Sequence, residues 1–432
     1  MKVSKFGGNP LADSSQIKKA LAIIQSDPER QCIVVSAPGK RDSRDQKVTD
    51  LLYEWHRLHE LRLSTDEIRQ VISDRYAEII GGLGIDFDLA GELAEINQKI
   101  NEGASADYAA SRGEYLMAKI MAIALGYDFV DSADCIYFDQ HGRYHQDDER
   151  LRAVLLGRKT VVSGFYGSLP DGSIKTFPRN SSDLSATIIA RAVGASLCEI
   201  WKDVSGLLMA DPRVVKNPRK VGRITYRELR EITYAGTEVL FSEAMFPVQE
   251  AGIPINIRNV NDPDDPGTYV VAEDIQREAG TIIGVAGRKS FTVITVEKAM
   301  MNQEIGFARR ILAVLEDNGI SFEHMPSGID TISLVIDDRQ LNGKLEKVVL
   351  EIRQACSPDS VEVFPEMAMI AVVGRGMINT PGVAAKIFAA LADQNINIRM
   401  INQGSSEISI FVGVENTDYE NAVRAIYAAF VN

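Results

Sequence analysis

Over roughly the first 260 residues, short apolar runs alternate with amphipathic stretches of helical period. The pattern predicts strands at Cys32–Ala37, Thr160–Gly164, Leu197–Asp203 and Pro254–Arg258. Between them it predicts a helical region over 47–101 and helices over 112–125, 183–193, 226–234 and 242–251. Apolar strands interleaved with helices imply a largely parallel sheet covered on both faces, with ligands at the carboxyl ends of the strands. Near the chain start, Asp13-Ser14-Ser15-Gln16 reads as a capping box, and Ile17, Ala20, Leu21 and Ile24 recur on one helical face behind it. The turn-rich segment Asn259 to Thr268 lies near the end of this region.

Past a linker around Glu273–Gly280, two smaller units of similar design follow. The first reads as a strand at Thr292–Val296, a helix over 304–318, strands at Ser321–Met325 and Thr331–Ile336, and a helix over 341–355. The second reads as a strand at Met369–Val373, a helix over 381–394, strands over 397–402 and 406–413, and a helix over 418–430. Each is a β-α-β-β-α pattern of ferredoxin-like type. The repetition suggests an internal duplication that pairs with a second copy and binds a small effector between the units.

Composition narrows the function. At 432 residues the chain is long enough for two or three domains of about 150 residues each. A formal charge of −13 without a basic run argues against nucleic-acid binding. Cys32, Cys135, Cys198 and Cys356 are widely spaced and lack histidines at ligand spacing, so neither a zinc site nor a disulfide framework is indicated. Met1-Lys2-Val3-Ser4 runs straight into a strand, which predicts no signal peptide, and no apolar stretch approaches about 18 residues. A reducing cytoplasm and small-molecule partners are the resulting expectation.

Candidate chemistry begins at Lys5-Phe6-Gly7-Gly8, where a strand ends in a lysine and two glycines ahead of a helix. Glycines let backbone N–H groups approach an anion and the lysine adds a point charge, so the turn suits phosphate. Glycine turns are also common packing devices, and these four residues alone fit both readings.

Further segments recur at predicted strand ends and helix starts: Val35-Ser36-Ala37-Pro38-Gly39-Lys40, Ser111-Arg112-Gly113-Glu114, Pro178-Arg179-Asn180-Ser181-Ser182-Asp183, and Trp201-Lys202-Asp203-Val204-Ser205-Gly206 running on to Ala210-Asp211-Pro212-Arg213. In this order, with Lys5-Phe6-Gly7-Gly8, they resemble aspartate kinase of the amino-acid kinase family across essentially the whole chain. Gly164-Phe165-Tyr166-Gly167, Ala251-Gly252-Ile253-Pro254-Ile255 and Ile401-Asn402-Gln403-Gly404-Ser405-Ser406-Glu407 carry the same resemblance. It implies an α/β amino-acid kinase domain over 1–280, a mainly parallel sheet sandwiched between helices. Two ferredoxin-like βαββαβ ACT units would follow, over 281–365 and 366–432.

The implied reaction is phosphoryl transfer from ATP, with Mg²⁺, to the side-chain carboxylate of L-aspartate. Lys5 and Asp183 would be catalytic. Ser36, Glu114 and Arg179 would hold the amino acid, because a carboxylate suits its ammonium and a guanidinium its carboxylate. Gly7 and Gly8 N–H groups, Ser182, Lys202, Asp203, Asp211 and Arg213 would bind the nucleotide, and no metal cage is assigned to the protein. Met301, Gly306, Phe307 and Ser327, with Asn397 and Asn402 from the facing repeat, would hold an amino-acid effector such as lysine or threonine. Pairing through the ACT sheets would give a homodimer.

Two local alternatives stay open: Ser111-x-x-Glu114 is also a capping box, and Ser182 and Asp183 are both good N-caps. Asn9-Pro10 stands where the family usually has threonine-serine, and Asn180-Ser181 replaces a pair of glycines. Lys202 replaces a threonine, and Glu238, in Ala235-Gly236-Thr237-Glu238-Val239-Leu240-Phe241, replaces a phosphate-binding lysine. Lys202 either pairs with Glu238 or supplies the missing cation. An active kinase of aspartate or of a similar small amino acid, and a weak or inactive paralogue kept as an amino-acid-sensing or partner-binding module, are the two classes of function compatible with these departures.

Overall fold

A computed structural model describes residues 1–178, 181–237, 239–240, 242–272 and 280–431. The chain forms two compact units: Met1–Leu207, Lys220–Leu229 and Glu238–Arg277 make the first, and Leu208–Arg219, Arg230–Thr237 and Glu278–Asn432 make the second.

The first unit is built on an eight-stranded sheet. Its strands are β1 (Lys2–Phe6), β2 (Arg30–Val35), β3 (Asp128–Val130), β4 (Thr160–Ser163), β5 (Leu197–Lys202), β6 (Arg223–Thr225), β7 (Ile255–Asn259) and β8 (Thr268–Val271), in the order β6-β8-β7-β5-β1-β2-β4-β3. The pairings described are parallel except β7 with β8. Central strands such as β2, with five of its six residues buried, carry apolar side chains on both faces, as a doubly covered sheet requires.

Helix α1 (Ser14–Gln25) starts where the capping pattern places it, with Asp13 accepting from the Gln16 N–H at 2.9 Å. The helical region over 47–101 resolves into α2 (Val48–Glu60), α3 (Asp66–Leu83) and α4 (Leu89–Asn101), and α5 (Ala106–Leu125) follows. Leu52, Trp55, Ile72, Tyr76, Ile79 and Ile100 from these helices join Phe6, Ile33 and Val35 of the sheet in one apolar core. Burying each such side chain contributes about 1.5–3 kcal/mol, and this core fixes the floor from which the strand ends project. Helix α6 (Asp148–Leu155) precedes β4, and α7 (Ser182–Ala192) precedes β5; α7 is buried along most of its length.

The second unit has a five-stranded antiparallel sheet of β9 (Gly284–Glu297), β10 (Thr331–Asp337), β11 (Ser360–Val373), β12 (Met400–Gln403) and β13 (Ser409–Glu415), ordered β10-β9-β11-β13-β12. Helices α8 (Phe307–Asp317), α9 (Leu345–Cys356), α10 (Val383–Ala392) and α11 (Tyr419–Val431) complete two α/β repeats. The repeats share their long strands. Phe291–Glu297 of β9 pairs with β10, whereas Gly284–Arg288 of the same strand pairs with Met369–Val373 of β11, beside β13. The closing strand of the C-terminal repeat therefore comes from residues preceding the N-terminal repeat, and a division at 365/366 falls inside β11. Local periodicity carries no trace of such an exchange. The strand expected at Ser321–Met325 is reduced to isolated bridges from His324 to Val335 and from Ser327 to Ile332.

Candidate active site

At the carboxyl ends of β1 and β5, three charged side chains from separate stretches of chain meet in the first unit. Lys5 Nζ lies 2.7 Å from Asp183 Oδ1, and Lys202 Nζ lies 3.1 Å from Asp183 Oδ2. Lys202 also donates to the Val239 carbonyl. The Lys5 and Asp183 side chains are 5% and 3% exposed, and that of Lys202 is 20% exposed. Burial alone raises the Asp183 pKa, but the two ammonium groups reverse this and bring it down to about 2. Burial and the neighbouring Lys202 charge lower the Lys5 pKa, against the pull of Asp183.

Asp183 sits in the first turn of α7, yet it is not the cap. Ser181 occupies the N-cap position, makes no side-chain cap bond and turns its hydroxyl to the Pro178 carbonyl. Ser182 shares a hydrogen bond with Ser36 at 2.8 Å. The N-cap alternative for Ser182 and Asp183 is thereby removed, and α7 presents an uncapped, positively polarised end beside two lysines.

The glycine turn works differently from its expected role. The Gly7 N–H donates to the Trp201 carbonyl at 3.0 Å, extending the parallel ladder, so the expectation that it binds phosphate is corrected. A Cβ on Gly7 would make ordinary contacts with the Trp201 carbonyl oxygen at 3.5 Å, Pro10 at 3.6 Å and Lys5 Nζ at 3.8 Å. Gly8 and Gly39 let two loops touch backbone to backbone. The Gly39 N–H donates to the Gly8 carbonyl at 2.8 Å, and a Cβ on Gly39 would meet the Asn9 nitrogen at 2.5 Å.

Asn9 joins the loops, donating to Asp203 at 2.8 Å and accepting the Lys40 N–H at 3.2 Å. Buried Arg75 of α3 clamps the same corner from below, reaching the Gly39 carbonyl at 2.6 Å, the Ala12 carbonyl at 3.2 Å and Asp45 at 2.5 Å. Sequence reasoning missed Arg75; its signal is an arginine among Ile72, Tyr76 and Ile79 on the buried face of α3.

Glu114 lies well inside α5, which begins at Ala106 with Ser105 as its cap. The capping-box alternative for Ser111 and Glu114 is overturned, since Ser111 donates back to the Tyr108 carbonyl within the helix. Buried Glu114 keeps one carboxylate oxygen, Oε2, without a partner among the described residues. Burial pushes its pKa up to about 7, despite a backbone bond from Ala37 and the charges of Lys5 and Arg112. A buried carboxylate with an unused acceptor is poised for a cationic ligand. A cavity of about 520 Å³ in the same unit is lined by Tyr53, Tyr144, Lys175, Phe177 and Leu184, among others.

The remaining candidates separate. Arg179, Asn180 and Glu238 lie outside the described residues, and so does pairing of Lys202 with Glu238. Asp211 and Arg213 belong to the second unit, where the arginine forks onto the carboxylate at 2.6–3.0 Å. Met301, Gly306 and Phe307 gather at the start of α8, where Gly306 has φ +82° and open space around its Cα. Ser327 is exposed in the following turn, Asn397 is exposed before β12, and the Asn402 amide bonds His324 at 2.9 Å. No cluster of three or more His, Cys, Asp or Glu suited to a metal ion occurs among the described residues, and no helix among them is long and apolar enough to cross a membrane.

Comparison with known proteins agrees with this geometry. Residues 1–259 match the model of the amino acid kinase family, and residues 370–430 match an ACT domain. The chain is 35% identical to aspartokinase 3 of Bacillus subtilis over 448 aligned positions, covering 100% of this chain and 98% of that protein. It is 30% identical to the bifunctional aspartokinase/homoserine dehydrogenase of Haemophilus influenzae, covering 100% of this chain and 57% of that one. Among solved structures it is similar to the aspartate kinase of Clostridium acetobutylicum, with 50% identity, a TM-score of 0.90 and 99% of each chain covered.

Proposed function

Because the chain belongs to the aspartokinases of the amino acid kinase family, we propose that it transfers the γ-phosphoryl group of ATP to the side-chain carboxylate of L-aspartate, giving 4-phospho-L-aspartate and ADP. A carboxylate oxygen of the acceptor forms the new bond to Pγ, the bond from Pγ to the β,γ-bridging oxygen breaks, and ADP carries away the electron pair. No proton needs to move, so catalysis is positioning and charge stabilisation.

The observation that carries this reading is the Lys5–Asp183 pair at the uncapped end of α7. Lys5 neutralises the phosphoryl oxygens, and Asp183 holds its ammonium in place. Glu114 receives the substrate ammonium on its unused oxygen, and Arg179 grips the carboxylate. Mg²⁺ arrives on the nucleotide phosphates and spreads their charge when bound. Asn9 holds Asp203 in position for the nucleotide.

We assign a kinase domain to residues 1–280 and, to 281–432, two ACT units that share β9 and β11. The ACT units hold lysine or threonine around Met301, Gly306 and Phe307, and two chains pair through the ACT sheets in the cytoplasm. Incubation with ATP, Mg²⁺ and aspartate, trapping the acyl phosphate with hydroxylamine, tests the reaction. Hydroxamate should form with aspartate and not with glutamate; its absence with every amino acid would overturn the assignment.

A further inference from the structure

A single buried ion pair is a poor place to bind a polyanion, because the partner carboxylate cancels most of the lysine's charge. Lys5 and Asp183 alone would form such a neutral pair. The second ammonium changes the balance, since Lys5 and Lys202 about one Asp183 sum to one net positive charge.

Resting on the kinase reading above, we propose that Lys202 is a catalytic residue whose ammonium contacts the phosphoryl group in transfer. An ammonium has three donors. One faces Asp183, one serves the Val239 carbonyl, and the third has no acceptor among the described residues. Two protein acceptors thus fix the nitrogen while leaving a donor for a ligand, which is the preorganisation that charge stabilisation requires. Lys202 is also the most exposed member of the cluster, its side chain 20% exposed against 5% for Lys5 and 3% for Asp183.

A purely structural role for Lys202 fits less well. Asp183 already has a counter-ion at 2.7 Å, and partly burying a second ammonium costs desolvation, while the other buried carboxylate near the cluster, Glu114, acts on Lys5. In the transition state, negative charge spreads over three equatorial phosphoryl oxygens. Lys5 and Lys202, each held by a different oxygen of one carboxylate, offer two cations to that group.

The test compares wild type with Lys202→Met and Lys202→Arg in steady-state kinetics and in calorimetric binding of Mg-ADP and of Mg-AMPPNP, a non-hydrolysable ATP analogue. Lys202→Met should lower kcat about 100- to 1,000-fold. It should weaken Mg-AMPPNP by about tenfold and leave Mg-ADP within about threefold. Lys202→Arg should restore part of kcat. If Lys202→Met loses its cooperative melt, Lys202→Gln, which keeps a donor for Val239, takes its place. A kcat within about threefold of wild type, or equal weakening of both nucleotides, would overturn the proposal. Wild type that forms no acyl phosphate fails the kinase reading itself, whereas active wild type with an equally active Lys202→Met fails only the role of Lys202.

Discussion

β1 and β5 carry buried charge on both faces, and the two faces are built differently. On one, Glu199 accepts from Ser4 at 2.7 Å, from Arg30 at 2.7 and 3.1 Å and from Trp201 at 3.1 Å. Arg30 also donates to the Ile23 carbonyl and Ser26, and its guanidinium lies 5.3 Å from the Trp201 ring centre. Burial raises the Glu199 pKa, but the Arg30 bonds more than reverse it, so the carboxylate stays charged. On the other face, Asp183 holds Lys5 and Lys202, and Lys202 has a donor without an acceptor among the described residues. A carboxylate bonded by donors from several strands fixes those strands in place, whereas an ammonium with an unused donor is ready for a ligand. Sequence position does not distinguish the two; the count of partners does.

The largest effect that would sharpen this contrast is Lys5→Met, which should lower kcat by about 1,000-fold or more while the thermal melt stays cooperative. Near-normal hydroxamate production would make the open face as structural as the closed one. Arg30→Met should do the reverse: removing the cation bonded to buried Glu199, which leaves it only Arg258 at 3.9 Å and the Ser4 and Trp201 donors, costs about 3–5 kcal/mol of stability, read by urea unfolding, with KM for ATP in the folded fraction unchanged. A marked change in that KM would dissolve the distinction.

Glu114 supplies a pH test. Its folded pKa of about 7 lies above the ordinary 4.5, so the native state favours the protonated form. Stability from this group is therefore full below pH 4.5 and is lost as pH rises through 7, by roughly 3 kcal/mol in all. Glu114→Gln should remove that decline, gaining stability at pH 8 with the gain fading toward pH 5. In wild type, KM for the amino acid should fall as pH rises from 6 to 8 and Glu114 ionises; a flat profile would separate Glu114 from the substrate. The smallest effect is expected from Asn9→Ala, which frees Asp203 and should raise KM for ATP by about fivefold, worth about 1 kcal/mol for one exposed hydrogen bond to a charged group. An unchanged KM would show that Asp203 needs no support.

Much of the architecture was legible. The alternation of apolar strands and amphipathic helices predicted the covered parallel sheet, and Asp13 announced α1. Errors came where local signals had two meanings. Ser111-Arg112-Gly113-Glu114 looks like a helix start, but Ser105 caps α5 earlier and leaves Glu114 in the buried interior. Gly7 looked like a phosphate donor, but its N–H continues the sheet ladder to Trp201. Arg75 stands out as an arginine on a buried helix face, but its pairing with Gly39, like that of Arg30 with Glu199, had no signal, because the partners lie far apart along the chain.

By itself, the sequence determined the elements, their order and the residue types able to bind phosphate, since helical and strand periods and caps are local properties of neighbouring residues. Tertiary structure alone decided that Lys5 and Lys202 share Asp183 and that Gly284–Arg288 closes the C-terminal repeat. Charge pairing and strand pairing act through space, and a parallel sheet brings together side chains whose separation in sequence carries no period.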